Sequence, residues 1–128
     1  MSNVDVVNGI YSALAQGDIQ SVLDALDPKV EWTEAAGFPY AGTYIGPQAV
    51  LENVFMKLGA DWEPFHVHVD KVVDGGDDVV VLGSYSGTYK ATGKSMKASV
   101  AHAWTLRDGK VAKFVQYVDS LKVAEALR

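Results

Sequence analysis

Apolar residues recur three and four positions apart in the N-terminal part of the chain and every second position in its C-terminal part, so the sequence changes its period once. Val6, Val7, Ile10 and Leu14 make a stripe that predicts a helix over 3–16, with Ser2 or Asn3 as its cap and "QGD" as its stop. Ile19, Val22, Leu23 and Leu26 predict a second, short helix capped by Asp18 and ended before Pro28. "KVEWTEA" reads as a short strand and "GFPYAGTYIG" as a loop that can cover a cavity mouth, while Pro47 opens a helix over Gln48 to Leu58. Alternation then predicts strands over about 62–73, 78–90, 94–107 and 110–119, punctuated by "DGGD", "ATG" and "RDG", with a last helical stretch after Ser120.

The strands are apolar on both faces: Val79, Val81, Tyr85 and Tyr89 alternate with Val80, Leu82 and small hydroxyl residues. One face must pack on the helices, and the other is expected to meet a second subunit, with Phe114 and Val118 read as part of that outer face. Long strands that wrap three helices have to curl, and Gly83 and Gly87 mark the expected bend. The expectation is a single α+β domain over 1–128: three N-terminal helices packed in a strongly curved, mainly antiparallel mixed sheet, shaped as a cone-like barrel.

Composition narrows the function classes. With 128 residues the chain is long enough to bury a core without a metal or disulfide staple. It has no cysteine, which rules out thiolate chemistry and suits a reducing cytoplasm. Sixteen acidic residues against 11 basic ones give a net charge of −5 with no basic band, which argues against nucleic acid and anionic membranes as partners. No apolar run is long enough to span a bilayer, and the N-terminus lacks the pattern of a signal peptide.

Taken together, "IYSALAQGDIQSVLDALDPKVEWTEA", "YIGPQAVLENVF" and "LRDGKVAKFVQYVDSLKVAEAL" resemble the nuclear transport factor 2-like superfamily, in its SnoaL-like and ketosteroid-isomerase-like branch. The resemblance implies a cone with a ligand cavity. It leaves the function open among isomerases, dehydratases, cyclases, binding proteins and dimerisation modules.

Strict alternation puts His102 and Trp104 on one face of their strand, and Tyr117 with Asp119 on one face of the next, so that all four are expected to line the cavity. Asp119 is the first candidate for a general base, resembling an acidic residue late in the last strand of SnoaL-like cyclases; its other reading is the cap of the final helix. Glu34, in phase with Trp32, matches the position of the general base in ketosteroid-isomerase-like enzymes, although Glu reaches one methylene further than the family's Asp. His102 is suited to proton exchange near neutrality, with Tyr117 or Asp119 fixing its tautomer, and resembles the His and Asp combination of the superfamily's dehydratases.

The first-helix tyrosine that donates to an oxyanion in the isomerases falls on Ile10, and Tyr11 beside it is turned by about 100°. Its acidic partner is replaced around Ala98 to His102, so steroid isomerisation is not expected. Trp32, Phe38, Tyr40, Phe55 and Trp104 are expected to form the wall for a small apolar or aromatic ligand. His66, His68 and Asp70 alternate with Val67 and Val69 and read as an exposed polar face, not a metal site. No cofactor or metal is expected. The alternatives to an acid–base enzyme are a non-catalytic binding protein and a dimerisation module with a vestigial cavity.

Overall fold

Strand order sets the shape of this molecule. In the computed structural model, which describes residues 1–128, helices α1 (Asn3–Ala15) and α2 (Ile19–Asp24) lead into strands β1 (Leu26–Glu34) and β2 (Gly42–Ile45). A three-part helix follows: α3 (Pro47–Val50), a π-helical turn (Leu51–Phe55) and α4 (Met56–Asp61). Then come β3 (Trp62–Gly75), β4 (Asp78–Tyr89), β5 (Ser95–Arg107), β6 (Lys110–Val118) and helix α5 (Ser120–Ala126). The sheet order is β2-β1-β6-β5-β4-β3. Only β1 and β6 run parallel; every other neighbour pair is antiparallel. Because β2 and β3 remain edges, the sheet curls over the helices as an open cone and does not close into a barrel.

The caps are local and polar. Ser2 accepts from the Asp5 N–H while Asp5 accepts from the Ser2 N–H, and Asp18 caps α2. The long helix is not continuous α: the π-turn carries Val54 and Phe55, both of which reach the cavity described below. β2 was expected as loop. It forms because Thr43 and Tyr44 pair with Thr33 and Trp32, and the Thr33 and Thr43 hydroxyls meet at 2.9 Å.

The curl has its expected markers. The β3–β4 register shifts between Trp62 and Phe65 and again between Val69 and Lys71, opposite Gly87 and Gly83. A Cβ at Gly83 would lie 2.0 Å from the His68 carbonyl oxygen, so only glycine permits the strands to approach there.

Two apolar clusters fill the cone. One joins Val7, Ile10, Trp32, Val81, Trp104 and Phe114 at the end covered by α1 and α2; the other joins Phe38, Trp62, Tyr85, Val100 and Val123 beneath α5. Of the buried polar residues, Glu34 sits on β1, Ser84 on β4, His102 on β5 and Gln116 on β6, and β4 and β5 serve both clusters. On the outside of the sheet, cross-strand rungs Leu82–Ala101–Tyr117 and Val80–Ala103–Val115 form an apolar face. Phe114 and Val118 are not part of it, since Phe114 is buried against Trp32 and Val118 packs on the second cluster. No helix is long and apolar enough to cross a membrane.

Candidate active site

Inward-facing residues of β1, β4, β5 and β6 meet the π-turn and the side of α1 around a cavity of about 540 Å³. That volume lies within the roughly 300–1,000 Å³ of small-molecule sites. Its walls are largely aromatic: Trp32, Phe38, Phe55, Trp62, Phe65, Trp104 and Phe114 all face it. Trp32 stacks on Phe114 with centroids 4.0 Å apart and meets Trp104 edge to face, so the wall is braced from behind.

Glu34 ends β1 in phase with Trp32 and is only 4% exposed. Its Oε1 accepts the Trp32 indole N–H at 3.3 Å, while Oε2 has no partner within the protein. Burial raises its pKa from an ordinary 4.5 to about 7, and the Trp32 bond opposes the rise. A carboxyl poised near neutrality in a cavity-lining residue, with one oxygen left without a partner, has the properties of a general base.

The second polar feature is a chain of hydrogen bonds centred on His102. Its Nδ1 lies 2.5 Å from the Tyr11 hydroxyl and its Nε2 lies 2.6 Å from the Tyr85 hydroxyl. The Trp104 indole donates to Tyr11 at 3.0 Å and the Gln116 amide donates to Tyr85 at 2.9 Å. Burial lowers the His102 pKa from 6.5 to about 3, so the ring is neutral, and burial raises both tyrosines above the ordinary phenol value. For Tyr85 the negative charge of Glu34 adds to the rise.

Several expected site residues lie elsewhere. The β5–β6 pairing carries a bulge: Leu106 faces Val111, but Thr105 faces Lys113, so Ala112 is an extra residue. Beyond it the alternation of β6 inverts. Phe114 and Gln116 therefore turn inward opposite Trp104 and His102, while Tyr117 turns outward and is 60% exposed. Asp119 is likewise exposed and caps α5 by accepting the Lys122 N–H. Tyr40 is buried but does not line the cavity; its hydroxyl donates to Asp61 at 2.6 Å.

The structure brings Glu34, His102, Trp32, Phe38, Phe55 and Trp104 together around the cavity, and adds Tyr11, Tyr85 and Gln116. Tyr11 reaches the site despite its rotation from Ile10, because Ile10 faces the core and Tyr11 leans across to His102 on β5. Tyr85 had a signal in its phase with Val79 and Val81; Gln116 had none without the bulge. His66 and His68 are both exposed on β3, His66 also lining the cavity and His68 meeting Asp70 at 3.1 Å, and no group of three or more His, Asp and Glu residues is placed to hold a metal.

An open cone of curled sheet around N-terminal helices is the fold of the nuclear transport factor 2-like class of α+β proteins. Within that class the chain belongs to the SnoaL-like family, whose domain model matches residues 7–114. It is similar to an NTF2-like protein from Burkholderia thailandensis E264, at 40% identity and a TM-score of 0.98 over 100% of this chain and 98% of that one. It is also 29% identical over 91 residues to patulin synthesis protein F of Aspergillus clavatus. That match takes in 69% of this chain but 46% of the relative, so the chain spans about half of that protein. TerC, crystallised with polyporic acid, shares the fold at a TM-score of 0.88 and 23% identity, over 98% of this chain and 97% of that one.

Proposed function

We propose that the protein is a cofactor-independent acid–base catalyst acting on a small aromatic or conjugated carbonyl compound, with Glu34 as the base and a tyrosine hydroxyl as the donor to the developing oxyanion. The observation that carries this reading is the presence in one aromatic cavity of a buried carboxyl with an unpartnered oxygen and of two phenols held by a neutral imidazole. Isomerisation, dehydration and cyclisation share a first step in which a proton leaves carbon beside a carbonyl and negative charge grows on oxygen. Glu34 suits the first demand and a phenol O–H the second, the latter in a water-poor site where such donors commonly contribute several kcal/mol.

The likeness to a protein named for patulin synthesis, and to one crystallised with polyporic acid, supports a small organic ligand for this chain as well. Glu34 is preferred to Asp119 as the base because burial sets its pKa near 7, whereas Asp119 is exposed and engaged as a helix cap.

The test is deuterium uptake at acidic C–H positions of a panel of aryl ketones in D₂O, followed by NMR. Wild-type protein is expected to accelerate exchange at one member, with a rate that rises through pH about 7 as Glu34 loses its proton. Glu34→Gln is expected to lower that rate by roughly 10²-fold or more, the lower end of acid–base contributions. Asp119→Asn is expected to keep it, because Asn caps about as well as Asp. A Glu34→Gln variant that exchanges at the wild-type rate removes the acid–base reading and leaves a binding protein.

A further inference from the structure

The chain of hydrogen bonds through His102 holds one proton more than its bonds can use. Both ends of the chain are fixed donors. The Trp104 indole N–H can only donate to the Tyr11 oxygen, and the Gln116 amide presents its NH₂ to the Tyr85 oxygen. The orientation of Gln116 is settled by its other end, where Oε1 accepts the Ala35 backbone N–H at 3.0 Å.

Between these ends lie two bonds, Tyr11 to Nδ1 and Tyr85 to Nε2. A neutral imidazole supplies one proton and each phenol supplies one, so three protons meet two bonds. With the ring proton on Nε2, the ring donates to Tyr85, Tyr11 donates to Nδ1, and the Tyr85 O–H is left over. With the ring proton on Nδ1, the ring donates to Tyr11, Tyr85 donates to Nε2, and the Tyr11 O–H is left over. Neither phenol oxygen has another protein acceptor within hydrogen-bond reach, and both residues line the cavity. The surplus O–H is therefore free to donate to a group in the cavity.

We propose that Tyr11, His102 and Tyr85 form a proton relay with two outlets into the cavity, and that the ligand carries two oxygen atoms on one conjugated frame, one for each outlet. In the relay step an oxyanion of the ligand takes the Tyr85 proton, and the Nε2 proton passes to the Tyr85 oxygen. The Tyr11 proton passes to Nδ1, and the Tyr11 oxygen regains a proton from a hydroxyl of the ligand at its own end. The ligand leaves with its proton moved from one oxygen to the other. The protein is unchanged apart from its tautomer, and in the Nδ1–H form it is set to move a proton in the opposite direction. Burial supports the scheme by keeping the imidazole neutral, since a doubly protonated ring has no acceptor to offer.

The ligand class rests on the reading of the cavity as a proton-transfer site. The relay itself is tested without Glu34 and without turnover, so the two can fail separately. The full chain, labelled with ¹⁵N-histidine and free of ligand, reports the tautomer of His102 through its two ring nitrogens. Tyr11→Phe is expected to shift the ring toward the Nε2–H form, because a bare Nδ1 is tolerated better than an unpaired N–H. Tyr85→Phe is expected to shift it toward the Nδ1–H form. The same tautomer in both variants overturns the relay. Should Tyr85→Phe not fold, a ring unchanged by Tyr11→Phe overturns it equally. For the ligand class, 6-hydroxy-1-tetralone, with one carbonyl and one conjugated hydroxyl, is compared with the one-oxygen probe 1-tetralone by calorimetry. The two-oxygen probe is expected to bind at least about tenfold tighter, roughly one further hydrogen bond's worth, and each Phe variant to remove that margin. Equal affinity of the two probes overturns the class.

Discussion

Glu34 and His102 are both 4% exposed, and burial moves their titrations in opposite directions. Glu34 is raised from 4.5 to about 7, so folding retains a proton that the unfolded chain loses, and its contribution to stability falls as pH rises through that window. His102 is lowered from 6.5 to about 3, so the unfolded chain binds a proton that the folded one refuses, and its contribution falls as pH drops through that window. Between pH about 4.5 and 6.5 both windows are open, each involves a single proton, and the two slopes cancel. Glu34→Gln removes one of them. Its stability relative to wild type is therefore expected to rise by on the order of 3 kcal/mol between pH 4 and pH 8, measured by urea denaturation at the two pH values. A difference that does not change with pH would contradict a raised Glu34.

At the scale of elements, close approach of strands and one extra residue decide where side chains go. Gly83 admits the His68 carbonyl where the β3–β4 register shifts, whereas Gly9 on α1 has nothing within 4 Å of where its Cβ would stand. Thermal denaturation should separate them: Gly83→Ala is expected to lower Tm, and Gly9→Ala to raise it by the equivalent of about 0.5–1 kcal/mol, the helix preference of Ala over Gly.

The same scale explains what the sequence could reveal. Helix stripes, caps and the four long strands follow from periodicity, and local alternation puts Glu34 in phase with Trp32 and His102 in phase with Trp104, two pairs that line the cavity. The same alternation misplaces Tyr117 and Asp119, because counted from Val111 it does not see Ala112 bulging out of β6. Such a bulge depends on pairing with β5, which no local pattern encodes. The strand β2 was hidden for a similar reason: four residues with exposed or half-exposed side chains become a strand only because β1 offers its edge.

For the whole molecule, the outer face of the sheet poses the next question. Leu82 and Tyr117 are large and exposed and flank Ala101 on adjacent strands, with the rung of Val80, Ala103 and Val115 beside them. We infer a homodimer through this face, of the size class that buries at least about 2,000 Å² in total. Sedimentation equilibrium at micromolar protein is expected to return twice the 13.8 kDa chain mass for wild type and the single mass for Leu82→Glu. A wild-type protein that sediments as a monomer refutes the dimer.

The cavity's aromatic wall has an optical consequence as well. The chain has three tryptophans, and Trp32, Trp62 and Trp104 all line the cavity. Every photon of indole emission thus originates beside the ligand, with no distant fluorophore to dilute the signal. A quinone or other conjugated guest that absorbs near the emission band quenches the whole of it, so that occupancy is readable in unlabelled protein directly from the intensity lost.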